Sequence, residues 1–262
     1  MTDSIRISNA KGLYLEGIRD GNMREALDKY TGARYTQHST GVRDGKEGFI
    51  EFFTPFLERN PIREIEVKRA IEDGQFVFVH VYQSLNNGEA QWVTADLFDT
   101  DEDGKIIEHW DVIAKFRWPT TSGRSMVDGP TEVEDVDKTK SNKAIIQAFV
   151  DDVLIGGQTD KVTDYISTKQ HDEHNPDVDD GYEQFRAYLA EPGANGRAIE
   201  YIKVHRLIGQ GNFVVTFSEV KLDSQDWAVF DIFRLENGKI AEHWDVHEII
   251  GPKETWNNSG KF

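Results

Sequence analysis

Each half of the chain carries the tetrapeptide Glu-His-Trp-Asp, whose histidine and aspartate are suited to proton transfer. The motif occupies residues 108–111 and 242–245, and eight of the nine positions from 104 to 112 are identical to those from 238 to 246. Side chains two residues apart on a strand share a face, so the histidine and aspartate of each copy lie together. Such a pair can remove a proton next to a carbonyl group and return it, because burial raises the pKa of a carboxyl while an imidazole holds the proton or the charge.

The turn before the second motif decides whether a further aspartate joins this face. Residues 235–239 indicate a three-residue hairpin loop with Gly238 in the left-handed bulge position. That loop predicts that Asp231 lies directly opposite His243. A two-residue loop at 237–238 would break the arrangement.

The first half has one extra residue in the same turn. A four-residue loop at 101–104 keeps Asp96 opposite His109. The candidate acid/base residues on the two strands are therefore Asp96, His109 and Asp111 in the first half, and Asp231, His243 and Asp245 in the second.

Two further histidines occupy matching positions in the turn before the third helix of each half. His38 and His174 each precede an Asp-Gly pair, with five residues in between. Their imidazoles would hydrogen-bond a substrate oxygen at a pocket mouth, as positioned histidines do in acid/base catalysis. The alternative is structural, with each imidazole capping the following helix or fixing the turn. Both interpretations remain open at this point.

Metal ligation has some support in the second half only. Two groups have the residue types of metal ligands. One is a histidine pair three residues apart, His171 and His174. The other is a row along the last strand, His243, Asp245 and His247. Two histidines and a carboxylate suit zinc or iron. The first half has Ile113 at the His247 position, and the chain has no cysteine for thiolate ligation. We therefore expect no metal ion and no cofactor.

The repetition extends beyond the motif and predicts two homologous domains. The segments that begin at His38 and Arg69 recur at His174 and Arg206, with an offset that drifts between 134 and 137 residues. Small insertions of this kind belong in surface loops. The expected boundaries are 1–120 for the first domain, 121–137 for a polar, acidic linker, and 138–262 for the second domain.

Within each half, helical patterns come first and strand patterns follow. In the first half, helices are expected after Ser8, Asn22 and Asp44, the last one ending at Asn60-Pro61. Alternating and β-branched runs then begin near Ile65. In the second half we expect helices at about 139–155, 158–166 and 180–190, and strands at about 198–208, 212–222, 226–235 and 239–250. This order predicts an α+β fold.

The order of helices, His-containing turn and sheet ending in Gly-Lys-Ile-x-Glu-His-Trp-Asp-Val resembles the SnoaL-like family, which includes polyketide cyclases and belongs to the nuclear-transport-factor-like cone superfamily. The resemblance covers both halves. It implies two tandem cone-shaped domains, each with about three N-terminal helices packed on a curved antiparallel sheet that encloses a pocket. In the cyclases an aspartate near the end of the sheet acts as acid/base without metal or cofactor. By resemblance that role falls on Asp111 and Asp245, with Asp96 and Asp231 standing where the cyclases have a partner histidine.

Composition and charge limit the kinds of binding partner that we expect. The net charge of −17 over 262 residues disfavours nucleic acid and anionic lipid, since both are bound through lysine and arginine. The first residues lack a signal-peptide pattern and no run of 18 apolar residues occurs, so a cytoplasmic protein is expected. Single-domain relatives commonly dimerise through the sheet. The tandem chain is therefore expected to be a monomer, as an internal pseudo-dimer, or a weak homodimer.

Three functional classes fit these patterns. The first is a cofactor-independent enzyme that acts on a small hydrophobic carbonyl compound by aldol-type cyclisation, isomerisation or dehydration. The second is a non-catalytic module that binds such a compound. The third is a scaffold whose pockets are filled by side chains. If only one copy is active, the first is favoured, because its turn keeps Tyr35 beside His38.

Overall fold

The computed structural model describes residues 3–190, 199–222 and 225–262. It divides into two compact units, one formed by residues 1–115 with 251–262 and the other by residues 116–250. We call these unit 1 and unit 2. The expected linker, 121–137, therefore falls inside unit 2, and the last twelve residues of the chain belong to unit 1 rather than to the second domain.

Unit 1 follows the predicted order, with helices before the sheet. Its helices are α1 (Ile5–Gly12), continued by a π-helical segment over Leu13–Arg19, α2 (Met23–Tyr30) and α3 (Gly45–Arg59). Its strands are β1 (Thr31–Gln37), β2 (Arg63–Asp73), β3 (Phe76–Leu85), β4 (Ala90–Thr100) and β5 (Ile106–Lys115). The first helix starts earlier than expected because Ser4, not Ser8, caps it: the Ser4 hydroxyl accepts a hydrogen bond from the Ile7 amide.

Unit 2 repeats this order, and its second and third helices are shorter than those of unit 1. Its helices are α4 (Thr139–Phe149), continued by a π-helical segment over Val150–Leu154, α5 (Val162–Tyr165), preceded by a 3₁₀ turn at Thr159–Lys161, and α6 (Tyr182–Ala190). Its strands are β6 (Asp172–Glu173), β7 (Glu200–Gln210), β8 (Phe213–Leu222), β9 (Gln225–Glu236) and β10 (Lys239–Ile249). The α+β prediction is confirmed in both units.

Each unit has one five-stranded sheet of mixed direction. The strand orders are β1-β5-β4-β3-β2 and β6-β10-β9-β8-β7. The meander is antiparallel as expected, but β1 runs parallel to β5 and β6 parallel to β10. The sequence analysis missed β1 and β6. This pairing matters for the site, because it places Gln37 beside His109 and Glu173 beside His243.

The predicted register of the last hairpin is wrong in both units. In unit 2, Lys239 pairs with Glu236, so the loop has two residues, Asn237 and Gly238, both with positive φ as a type I′ turn requires. In unit 1, five residues (101–105) separate the paired Thr100 and Ile106.

A bulge in each last strand corrects the facing of the side chains that follow. The register shifts by one residue between Ile240 and Glu242, and at the matching place, between Ile106 and Glu108, in unit 1. Ala241 and Ile107 are the extra residues. The result is that Asp96 lies opposite Asp111 and Asp231 opposite Asp245, while the histidines oppose Phe98 and Phe233. The shift from prediction is two residues, so the shared face survives.

The helices pack apolar side chains on one face of each sheet. In unit 1 the core includes Leu13, Leu27, Phe49 and Phe98, all at most 3% exposed. Its counterpart in unit 2 is built around fully buried residues such as Ile146, Phe149, Val214 and Phe233. Burial of this kind contributes about 25 cal/mol per Å² of apolar surface. Within the described residues, no helix is long and apolar enough to cross a membrane.

Candidate functional site

In unit 1 the last two strands bring a histidine and two aspartates together under the helices. Asp96, His109 and Asp111 are all at most 5% exposed. His109 reaches diagonally across the strands, and its Nε2 lies 2.8 Å from Oδ1 of Asp96. A carboxylate only accepts hydrogen bonds, so Nε2 of His109 is the donor in this contact.

Asp96 is held in place by a second donor. The Tyr14 hydroxyl, from the π-helical segment, donates to Oδ2 of Asp96 at 2.6 Å and lies 2.8 Å from the Thr94 hydroxyl. Burial first, and then the charge of Asp96, raise the pKa of Tyr14 well above its ordinary value. Tyr14 therefore remains a donor, and Asp96 stays oriented towards His109.

His109 lines a pocket, and its other ring nitrogen has no hydrogen-bond partner among the described residues. Its Nδ1 and the Nε2 of Gln37 are buried and form no hydrogen bond within the described residues. Both side chains line a pocket of about 490 Å³ of empty space, part of it open to solvent. The rest of the lining is mainly apolar or aromatic and includes Leu13, Ile18, Val42, Phe49, Phe52, Phe53, Phe98 and Ile113. A pocket with apolar walls and a few convergent polar atoms is typical of small-molecule sites.

Asp111 also lines this pocket, and its partner comes from the end of the chain. The Nζ of Lys261 lies 3.1 Å from Oδ1 of Asp111, and Lys261 is only 2% exposed. Burial alone would raise the pKa of Asp111. The charge of the Lys261 ammonium is the largest opposing effect, so the pKa of Asp111 is lowered and the group is ionised at neutral pH.

His38 lies apart from the pocket-lining residues of unit 1 and has partners on both nitrogens. Its Nδ1 lies 2.6 Å from the carbonyl oxygen of Gly260, and its Nε2 2.8 Å from Oε1 of Glu108. The ring stacks on Trp110 with 4.8 Å between centroids. Glu108 and Trp110 are the sequence neighbours of His109, so their side chains lie on the opposite face of the strand. The geometry of His38 thus ties the C-terminal segment to the sheet.

Unit 2 repeats this anchor almost unchanged. The Nδ1 of His174 lies 2.6 Å from the Ser125 carbonyl oxygen, and its Nε2 2.9 Å from Oε1 of Glu242. Its ring stacks on Trp244 at 4.6 Å. The segment that follows β5 therefore serves unit 2 as the C-terminal segment serves unit 1, with Ser125 in the place of Gly260.

The histidine of the second motif is bonded at both nitrogens. The Nδ1 of His243 lies 2.9 Å from Oε1 of Glu173, and its Nε2 lies 3.1 Å from Oδ1 of Asp231. Burial alone would lower the pKa of His243, but Glu173 and Asp231 raise it well above the ordinary value. His243 is accordingly an imidazolium without a free lone pair.

Asp245, the other candidate acid on the last strand of unit 2, also has close hydrogen-bond and ionic partners. Oδ2 of Asp245 accepts a hydrogen bond from Asn175 Nδ2 at 2.5 Å and lies 2.9 Å from Nε2 of His247. Burial raises its pKa, but His247 and His243 lower it on balance. On the other side of the site, Tyr201 donates to Oδ1 of Asp231 at 3.0 Å.

Four of the differences between the two copies involve the candidate site and its neighbours. The paired strands make Glu173 the equivalent of Gln37, and His171 the equivalent of Tyr35. The duplicated motif aligns His247 with Ile113, and the anchored carbonyls align Met126 with Lys261. Sequence analysis missed Gln37 and Glu173 as site residues, although they directly precede His38 and His174. The sequence held no signal for Lys261, 150 residues away from Asp111.

Both halves match a known family. The model of the SnoaL-like domain matches residues 13–109 and 146–243. Similar solved structures include IdmH from Streptomyces antibioticus, at 17% identity and a TM-score of 0.36, covering 41% of this chain and 91% of that one. Another is an NTF2-like protein of unknown function from Cytophaga hutchinsonii, at 13% identity and a TM-score of 0.35, covering 46% and 95%. No curated protein matches the sequence significantly.

Proposed function

We propose, from the premise that this chain belongs to the SnoaL-like family in both halves, that unit 1 is a cofactor-independent acid/base enzyme. Its substrate is a small hydrophobic carbonyl compound, and its base is His109. The observation that carries the proposal is that His109 lines the pocket and that its buried Nδ1 has no hydrogen-bond partner among the described residues.

The first step is proton abstraction. Asp96 fixes the ring tautomer with the proton on Nε2, so the lone pair of Nδ1 points into the pocket. Nδ1 takes a proton from the carbon next to the substrate carbonyl, and the C–H electron pair moves to form an enolate. The imidazolium that results is stabilised by Asp96 at 2.8 Å and by the ionised Asp111 nearby.

The enolate oxygen needs donors in the same pocket. The unpaired Nε2 of Gln37 supplies an N–H group beside His109. Such a donor stabilises the charge that develops on the oxygen. Return of the proton to another carbon gives isomerisation, attack of the enolate carbon on a second carbonyl gives aldol closure, and loss of a β-hydroxyl gives dehydration. All three outcomes share the first step.

The role that the resemblance assigns to Asp111 passes in this proposal to His109. Asp111 is ionised but already paired with Lys261, whereas Nδ1 of His109 is free within the described part of the unit. In unit 2 the equivalent nitrogen bonds Glu173. We therefore assign the proton transfer to unit 1 alone.

The experiment has two stages. A thermal-shift screen with small ketones, β-diketones, steroids and polycyclic aromatics identifies ligands. A ligand at 100 times its Kd adds about 2.7 kcal/mol to the free energy of unfolding. Each kcal/mol raises the melting temperature by roughly 2–4 °C. Exchange of the α-protons of each hit in D₂O is then followed by NMR. We expect exchange with the wild type and with His243→Gln, and its loss with His109→Gln. Equal exchange in both variants would remove His109 from the mechanism.

Non-catalytic binding of the same class of ligand is the alternative, favoured by the apolar lining of the pocket. It predicts a thermal shift that persists in His109→Gln, with no α-proton exchange above the buffer rate for any hit.

We also propose a monomer or weak homodimer. A tight tetramer in sedimentation would contradict that state without touching the proposal for the pocket.

A further inference from the structure

Unit 2 concentrates three ligand-type side chains at one buried point. One ligand atom from each of Asp231, His243 and Asp245 lies within 4.8 Å of the others, and all three residues are at most 4% exposed. Over residues 3–190, 199–222 and 225–262, this is the only group of three histidine, cysteine or acidic side chains so close together. The equivalent residues of unit 1 do not form such a group among the described residues.

Glu173 orients the histidine of this group as metal-bound histidines are oriented. Its carboxylate accepts from Nδ1 of His243 at 2.9 Å, which leaves Nε2 directed at Asp231, 3.1 Å away. A histidine that ligates a metal through one nitrogen almost always donates from the other to a carboxylate or carbonyl. The Gln37 of unit 1 does not engage His109 in this way.

His247 supplies a fourth group beside the three. Its Nε2 lies 2.9 Å from Oδ2 of Asp245, yet the atom is buried and forms no well-aligned hydrogen bond within the described residues. A nitrogen in this position is suited to share a cation with Asp245. Ile113 occupies the same position in unit 1.

In unit 2, histidines rather than a lysine lie beside the two aspartates of the group. Unit 1 places the Lys261 ammonium on Asp111, whereas unit 2 has Met126 at that position. Unit 2 also replaces the neutral Gln37 with the acid Glu173. At these positions unit 2 therefore gains a buried carboxylate and loses a buried lysine.

We propose that Asp231, His243, Asp245 and His247 form a mononuclear site for a first-row divalent cation such as Zn²⁺, with Glu173 as the orienting residue. Two imidazoles and two carboxylates suit Zn²⁺, whereas Mg²⁺ and Ca²⁺ prefer oxygen ligands alone. Binding replaces the Nε2 proton of His243, which is released to solvent. The site is separate from the proposed base in unit 1.

The test uses the full chain, stripped with a chelator, dialysed against ZnCl₂ at neutral pH and separated from free metal by gel filtration. Metal analysis is expected to give one zinc per chain, together with a rise in melting temperature. Glu173→Gln, which restores the residue of unit 1, is expected to weaken binding about 10–100-fold. His247→Ile, also the unit 1 residue, is expected to weaken it as well.

The matched controls are His109→Gln and Asp96→Asn in unit 1, which are expected to retain the zinc. Asp231→Asn removes a ligand and is interpreted only if its circular dichroism is unchanged; otherwise Glu173→Gln and His247→Ile decide. Failure of the wild type to retain zinc would overturn the proposal. Zinc retained equally by the wild type, Glu173→Gln and His247→Ile would overturn it too, since the metal would then be bound elsewhere.

Discussion

Lys261 places its Nζ 3.1 Å from Oδ1 of Asp111, and both side chains are almost fully buried. The pair joins the second-last residue of the chain to the first Glu-His-Trp-Asp motif. Gly260, next to Lys261, is bound by His38 in the same unit. The C-terminal segment is therefore part of the pocket architecture of unit 1.

Replacement of Lys261 by Met, the residue of unit 2, is expected to destabilise unit 1. Removal of one partner from a buried ion pair leaves an uncompensated charge and costs about 3–5 kcal/mol. Chemical denaturation at pH 7 measures the loss. The exposed pair of Lys138 with Asp135 gives the control, since Lys138→Met is expected to leave the free energy of unfolding almost unchanged.

The cost of Lys261→Met is expected to depend on pH. In the wild type the pKa of Asp111 is lowered, so its contribution is present above the ordinary value of about 3.9 and is lost as the pH falls through the folded pKa. In the variant, burial without the ammonium raises the pKa of Asp111, so the variant gains relative stability as the pH falls. The difference in free energy of unfolding should therefore shrink from pH 7 towards pH 3. A constant difference would show that the ion pair is not its cause.

The repeated motif was enough to predict the duplication, the α+β order and the face shared by the histidine and aspartate. The register was not predictable, because Asn237-Gly238 supports a two-residue turn as well as a longer loop. The bulge at Ala241 decides the facing and has no clear sequence signature. Lys261 was out of reach for another reason: its contact depends on the path of the last twelve residues, which no periodicity fixes.

Replacement of Gln37 by Glu is expected to abolish the proposed base. The new carboxylate would bind Nδ1 of His109, as Glu173 binds His243, and the ring would lose its free lone pair. General base catalysis contributes about 10²–10⁴-fold, so α-proton exchange should fall at least about 100-fold. Gln147→Glu adds the same charge on an exposed part of α4 and should leave exchange unchanged. Full activity of Gln37→Glu would contradict the assignment of Nδ1.

His38→Ala is expected to lower stability rather than the rate of exchange per folded molecule. Both ring nitrogens of His38 are used in hydrogen bonds, one of them to Gly260 in the C-terminal segment. Loss of such buried bonds costs about 1–3 kcal/mol. His38→Asn keeps a donor near the Nδ1 position and should recover part of this loss. A fall in exchange of 100-fold or more, with stability unchanged, would instead give His38 a chemical role.

Deletion of Ala241 removes the bulge without changing the pairing that follows it. Without the extra residue, Arg234 opposes Glu242 in the ladder that continues from the two-residue turn, and Asp231 still pairs with Asp245. Directly paired residues share a face of the sheet, so His243 and Asp245 should remain on the buried side. We expect unit 2 to keep its cooperative unfolding transition, followed by circular dichroism on heating. Ala241→Gly keeps the bulge and should cost at most about 1 kcal/mol. Loss of the cooperative transition in the deletion variant alone would mean that the bulge is needed for more than the facing of the motif.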